Sequence, residues 1–242
     1  MENISYIGLS QQMALSQQIE VASNNIANMS TPGFKTQGVM FNDYITSPKD
    51  GSPIHQSQNF ATYRDLSTGN LAQTHNPLDL AIAGEGYFAV STASGIRYTR
   101  DGGFSLNFNR QLVSKTGNIV MSEGGGPLVI PPEAKQITVA DDGTVATEIG
   151  DVGRVKVVSF DNPQALTKLG NNLYDAGGQA ETPLAAETRV EQGVLEGSNV
   201  NPVVEMNRMV ELMRMFQAAQ NMLMTDHDRI RGAIQKLTAV ES

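Results

Sequence analysis

The sequence predicts an α+β fold: an antiparallel, all-β central domain, an irregular sandwich or barrel, carried between long N- and C-terminal helices that pair as a coiled coil. Three features point there. Steps of three and four residues between Asn201 and Leu237 pick out Met206, Met209, Met213, Phe216, Gln220, Leu223, His227, Ile230, Ile234 and Leu237. This is a heptad seam in which only Gln220 and His227 are polar. Residues 3–28 form a second helix-compatible stretch, free of Pro and holding Gly8 as its one glycine. Between the two, from Asn76 to Gly197, short apolar runs alternate with Gly-rich turns, the pattern of antiparallel strands.

Residues 1–33 read as a helix stopped by the turn chemistry of Thr31-Pro32-Gly33. Ile4, Gly8, Gln11, Leu15, Ile19, Ala22 and Ile26 share one stripe at helical spacing. Around the stripe stand uncharged polar residues, among them Gln11, Gln12, Gln17, Asn24, Asn25 and Asn28, where a solvated helix would carry Lys and Glu. A helix of this composition is marginal alone in water, so it is expected to lie buried among other helices, its amides bonding to neighbouring chains.

Residues 34–75 mix Pro48, Gly51 and Pro53 with spaced aromatics, Phe41, Tyr44, Phe60 and Tyr63, and are expected to form an extended arm or loose hairpin. Residues 76–197 hold the β domain. Its candidate strands are Leu78–Ile82, Tyr87–Thr92, Ile96–Thr99, Phe104–Phe108, Leu112–Ser114, Ile119–Met121, Leu128–Ile130, Gln136–Ala140, Thr144–Glu148 and Arg154–Phe160. Asp142-Gly143 is a strong hairpin turn, and weaker strands follow from Asn162. Residues 198–242 are the C-terminal helix, with Asn201 as N-cap ahead of Pro202. Nothing breaks it before Gly232, and its stretch from Asn201 to Leu237 would run about 54 Å. Being the only long helices, the two ends most simply pack together at the base of the β domain.

Composition narrows the function. The chain has 242 residues, no Cys and no Trp, so disulfides, thiolate metal sites and a Cys nucleophile are out. The formal charge of −8 argues against nucleic acid and anionic membrane as partners. Residues 1–35 carry Glu2, Glu20 and Lys35, residues 200–242 five acids and five bases, and the middle the remaining −7. Neutral ends meeting protein and an acidic middle meeting water follow from that division. No apolar run is long enough to span a membrane. Met1-Glu2-Asn3-Ile4 lacks the basic and apolar regions of a secretory signal.

Ala22-Ser23-Asn24-Asn25-Ile26-Ala27-Asn28 followed by Thr31-Pro32-Gly33-Phe34-Lys35 resembles the N-terminal signature of bacterial flagellar rod and hook proteins. Leu195-Glu196-Gly197-Ser198-Asn199-Val200-Asn201 is similar to their C-terminal signature. Gly86-Tyr87-Phe88-Ala89-Val90 and Tyr98-Thr99-Arg100-Asp101-Gly102-Gly103-Phe104 resemble the core of their β domain. One departure is Asn109-Arg110, where the family's hairpin turn would contain Gly. The resemblance spans essentially the whole chain. It implies a structural subunit of the axial rod, passed unfolded through the flagellar type III export apparatus. The implied partners are further copies of itself and the proximal and distal rod subunits. The terminal helices would line the inner tube. Assembly residues are then expected at Leu15, Ile19, Ala22, Asn24, Asn25, Ile26, Asn28, Thr31, Gly33 and Phe34, and at Ser198, Asn199, Val200 and the C-terminal seam.

The competing reading is a β-domain enzyme or ligand-binding module on a helical stalk. Gly84-Glu85-Gly86 and Gly124-Gly125-Gly126 lack the strand–loop–helix context of phosphate loops, and His55, His75 and His227 lack metal-ligand spacing. No nucleophile elbow is present. No cofactor, metal or catalytic residue is therefore assigned. The methionines of the seam suit a surface that accepts slightly different partners, because Met deforms to fill irregular gaps.

Overall fold

Four chain crossings, after Ala27, Thr36, Asp65 and Val200, divide the protein into two compact units. The computed structural model describes residues 2–46, 54–185 and 187–240. The helical unit comprises Met1–Ala27, Gln37–Asp65 and Asn201–Ser242; the β unit comprises Asn28–Thr36 and Leu66–Val200.

In the helical unit, α1 (Glu2–Ala27) and α2 (Pro202–Val240) pack on each other, and α1 also packs on a hairpin of β1 (Gln37–Thr46) and β2 (Ile54–Arg64). The arm expected from the sequence is thus a regular antiparallel ladder running from Gln37↔Arg64 to Thr46↔Ile54, with one bulge at Asn42/Asp43. Its tip, including Pro48, Gly51 and Pro53, lies outside the described residues, as do the side chains of Phe41, Tyr44 and Phe60. The N-cap of α2 is the expected one. Asn201 Oδ1 accepts from Val203 N at 3.2 Å and Val204 N at 3.3 Å, satisfying two otherwise orphaned donors.

The β unit holds β3 (Leu71–Gln73), β4 (Leu80–Ala83), β5 (Tyr87–Thr92), β6 (Gly95–Thr99), β7 (Phe104–Leu106), β8 (Leu112–Ser114), β9 (Ile119–Val120), β10 (Ile137–Val139), β11 (Thr144–Thr147), β12 (Gly150–Arg154), β13 (Val157–Val158), β14 (Thr167–Gly170), β15 (Leu173–Asp175), β16 (Arg189–Gln192) and β17 (Val194–Glu196). The largest sheet runs β14-β15-β6-β5-β9-β8-β7, with β13 also on β5. Strands β10-β11-β12 form a second sheet, and β16 and β17 pair with β4 and β3. All these pairs are antiparallel.

Strand β5 shows why the sheet sits where it does. Alternate side chains point to opposite faces, so Phe88 and Val90 enter one cluster with Leu80, Phe104, Leu128 and Ile130. Tyr87 and Ala89 enter another with Tyr98, Phe160 and Tyr174. Both faces are covered over Tyr87–Val90, which reads as an apolar run, before Ser91 and Thr92 turn polar. Leu128–Ile130, expected as a strand, makes one isolated bridge instead, Gln111↔Val129, with Met121↔Pro127 just before it; Leu128 and Ile130 are buried all the same.

At the turn lacking its glycine, Arg110 itself takes φ +56°. Asn107 makes this possible: its Oδ1 accepts from Asn109 N and Gln111 N, both at 2.9 Å. The Arg110 guanidinium donates to Ile130 O at 3.1 Å. A left-handed non-Gly residue costs about 1–2 kcal/mol, which these bonds offset.

Candidate assembly surface

The α1–α2 contact is built from Leu15 and Ala22 on α1 and Leu212 and Ala219 on α2, with Ile19, Met209 and Phe216 packed around them. On α2 the inward line is Glu205, Met209, Leu212, Phe216, Ala219, Leu223, Asp226 and Ile230, every one buried or half-buried. These positions step by four and three, a heptad seam. Gly8 belongs to the contact because a Cβ there would fall 2.5 Å from Leu223 Cδ2. On α1, Gln11 is exposed, while Ala14 and Val21, off the expected stripe, are buried.

The seam read from the sequence divides in the structure. Met209, Phe216, Leu223 and Ile230 face inward, but Met206, Met213, Gln220 and His227 are exposed. They belong to a second heptad line, Val203, Met206, Val210, Met213, Gln217, Gln220, Met224 and His227, all exposed. Two apolar lines one residue out of phase look like one in a linear sequence. Glu205 made the true inner line look polar at its start, and methionine made the outer line look like core. Leu212 and Ala219 are the residues so missed. Ile234 and Leu237 continue the helix, with side chains outside the described residues.

Asn25 explains part of the amide-rich N-terminal motif. It is wholly buried and behaves as a surrogate strand, its Nδ2 donating to Gln37 O at 2.8 Å and its Oδ1 accepting from Gln37 N at 2.9 Å. Nδ2 also lies 3.4 Å from Glu205 Oε2, tying α1, β1 and α2 together. Asn24 is exposed, and Ile26 is half-buried. Asn25→Ala should lose about 1–3 kcal/mol by stranding both Gln37 backbone groups. Asn25→Asp should lose more, since it sets a second carboxylate against Glu205. Hydrogen exchange at Gln37 and through α1 reads the difference; equal protection in both variants would contradict this role.

The β unit contains the other motif residues, gathered on one buried ion cluster. Glu196, Lys35 and Arg100 are all buried. Lys35 Nζ donates to Glu196 Oε1 at 2.6 Å and to Ser67 O at 2.7 Å, and Arg100 Nε donates to Glu196 Oε2 at 2.8 Å. The rest of the Arg100 fork reaches Gly86 O and Gly84 O, each at 2.7 Å. Gly69 N donates to Glu196 Oε1 at 3.1 Å.

Around the cluster the incoming and outgoing segments are stitched. Gly33 N donates to Glu196 O at 2.8 Å, while Asn199 Oδ1 accepts from Thr36 N at 2.7 Å and Thr36 Oγ1 at 2.8 Å. Asn172 Nδ2 reaches Pro32 O at 2.8 Å. Thr31 Oγ1 reaches Asn28 Oδ1 at 3.3 Å, Ser198 Oγ accepts from Val200 N at 3.2 Å, and Phe34 and Val200 are buried.

Gly33 is required as glycine twice over. Its φ is +67°, and a Cβ would fall 2.5 Å from the Arg100 carbonyl carbon. Gly33→Ala should destabilise the β unit by about 1–3 kcal/mol from the backbone conformation alone, readable in urea unfolding; an unchanged midpoint would refute it.

Three family models match the chain: "Flagella basal body rod protein" over residues 6–35, "Flagellar hook protein FlgE/F/G D1 domain" over 81–147 and "Flagellar basal body rod FlgEFG protein C-terminal" over 191–236. Among curated relatives, the flagellar basal-body rod protein FlgF of Caulobacter vibrioides is 35% identical over 98% of both chains. FlgF of Mesorhizobium japonicum is 34% identical over 90% of both. The flagellar basal-body rod protein FlgG of Bacillus subtilis is 30% identical over 95% of this chain and 97% of its own.

Proposed function

This chain belongs to the flagellar basal-body rod protein family as an FlgF-like structural subunit, and we propose on that premise that α2 works as a two-sided helix. One side closes the subunit on α1, and the other joins it to neighbours as a coiled coil. The observation that carries this is the second heptad line, exposed from Val203 to Met224. Globular chains seldom leave so long an apolar line in water without a partner for it. The uncharged amides of α1 supply polar groups that can bond to further helices.

The partners are then other copies of this chain and the proximal and distal rod subunits. A proximal position fits the FlgF relatives. The subunit would reach the periplasmic span of the rod through the flagellar type III export apparatus. No cofactor enters the proposal.

Because the chain has no cysteine, placement can be tested by oxidative cross-linking in isolated basal bodies. Met213→Cys is expected to link to a cysteine placed on a neighbouring subunit, whereas Leu212→Cys links only to a cysteine at Leu15 or Ala22 of its own chain. Absence of any intersubunit product along 203–224 would sink the proposal.

A further inference from the structure

The chain contains eleven methionines and neither cysteine nor tryptophan, so thioether sulfur is its most readily oxidised group. The methionines are not evenly placed. On α2, Met206 is 46% exposed, Met213 51%, Met215 41%, Met222 62% and Met224 62%. In the β unit Met29 is half-buried, and Met121 is 9% exposed and packed among the core aromatics. Three of the five, Met206, Met213 and Met224, lie on the outer heptad line.

We propose that the exposed methionines of α2 are a modification site for peroxides, and that their conversion to sulfoxides blocks assembly. The inference rests on the outer line being the surface that meets neighbours. In the reaction a sulfur lone pair attacks one peroxide oxygen. The S–O bond forms as the O–O bond breaks, sulfur loses two electrons, and the leaving hydroxide takes up the proton to become water. The product is polar and chiral where the thioether was apolar and deformable. A sulfoxide on the outer line would have to be desolvated to enter a helix–helix contact, and at Met206 its neighbours on the line, Val203 and Val210, carry no side-chain donor to receive it. The free subunit should tolerate the change, because these side chains already face water. Oxidation would therefore act on subunits awaiting assembly, and an assembled contact would shield the same sulfurs.

The test has two arms. The purified full chain is treated with hydrogen peroxide, and each methionine is followed by peptide mass spectrometry. The five exposed methionines of α2 should oxidise roughly tenfold faster than Met121, with the melting of the β unit unchanged. In cells, the triple variant Met206→Gln/Met213→Gln/Met224→Gln, which imitates the polarity of the sulfoxide, should be missing from basal bodies. The corresponding triple Leu variant should be incorporated. Oxidation of Met121 at the rate of the α2 residues would overturn the proposal, and so would equal incorporation, or equal exclusion, of the Gln and Leu variants. Normal incorporation of Met213→Asp subunits would instead overturn the assembly reading, leaving the oxidation map standing.

Discussion

Glu196→Gln is expected to cost the β unit about 3–5 kcal/mol, more than replacing either of the cations that hold it. Charge arithmetic gives the order. Lys35, Arg100 and Glu196 together carry +1 in a site from which water is excluded. Removing Glu196 leaves two buried cations facing each other with no counter-charge. Lys35→Met leaves the balanced pair Arg100–Glu196 and forfeits the bond to Ser67 O. Arg100→Met leaves the balanced pair Lys35–Glu196 but strips the carbonyls of Gly84 and Gly86 of their donor. The expected order of loss is Glu196→Gln, then Arg100→Met, then Lys35→Met. Hydrogen exchange at the amides of Leu80–Ile82, followed in each full-length variant, measures it within the β unit. A Glu196→Gln chain no weaker than Lys35→Met would show that the carboxylate is not the centre of the cluster.

That cluster was invisible as chemistry in the sequence, although each of its residues stood inside a recognisable motif. Glu196 is 161 residues from Lys35 and 96 from Arg100, and no local periodicity links positions so far apart. What could be read were features governed by near neighbours. The Asn201 cap, the Gly33 turn and strands Tyr87–Thr92 and Leu112–Ser114 follow from spacing and residue type. Strand β12 escaped because Gly150 and Gly153, at φ +151° and +148°, give it the texture of a turn. Its conformation is supplied by pairing with β11, a tertiary cause. The helical ends lie between these cases. Heptad spacing announced that α2 packs lengthwise, but two lines a residue apart can be separated only by seeing which one α1 covers.

That separation turns one experiment into two with opposite readouts. Phe216→Asp places a charge on the inner line, beside Leu15, Ala22 and Leu212. Loss of a fully buried aromatic costs about 3–5 kcal/mol; half-buried Phe216 contributes a smaller loss of packing, to which the unpaired carboxylate adds. This chain should lose α1–α2 helicity in circular dichroism before any partner is present, and assembly with it. Met213→Asp places the same charge on the outer line, where the side chain is exposed. Surface changes of this kind move stability by only about 0.5 kcal/mol, so its helicity and melting should match the parent chain. Motility and rod completion should nevertheless be abolished, because the carboxylate must be desolvated when a neighbour closes over it. Glu211→Lys, exposed and on neither line, should leave both measurements near those of the parent. Neither Met213 nor Phe216 lies in the β unit, whose unfolding should be unchanged throughout. If Met213→Asp subunits build normal rods, the outer line holds nothing; if they lose helicity as Phe216→Asp does, the two lines are one seam after all.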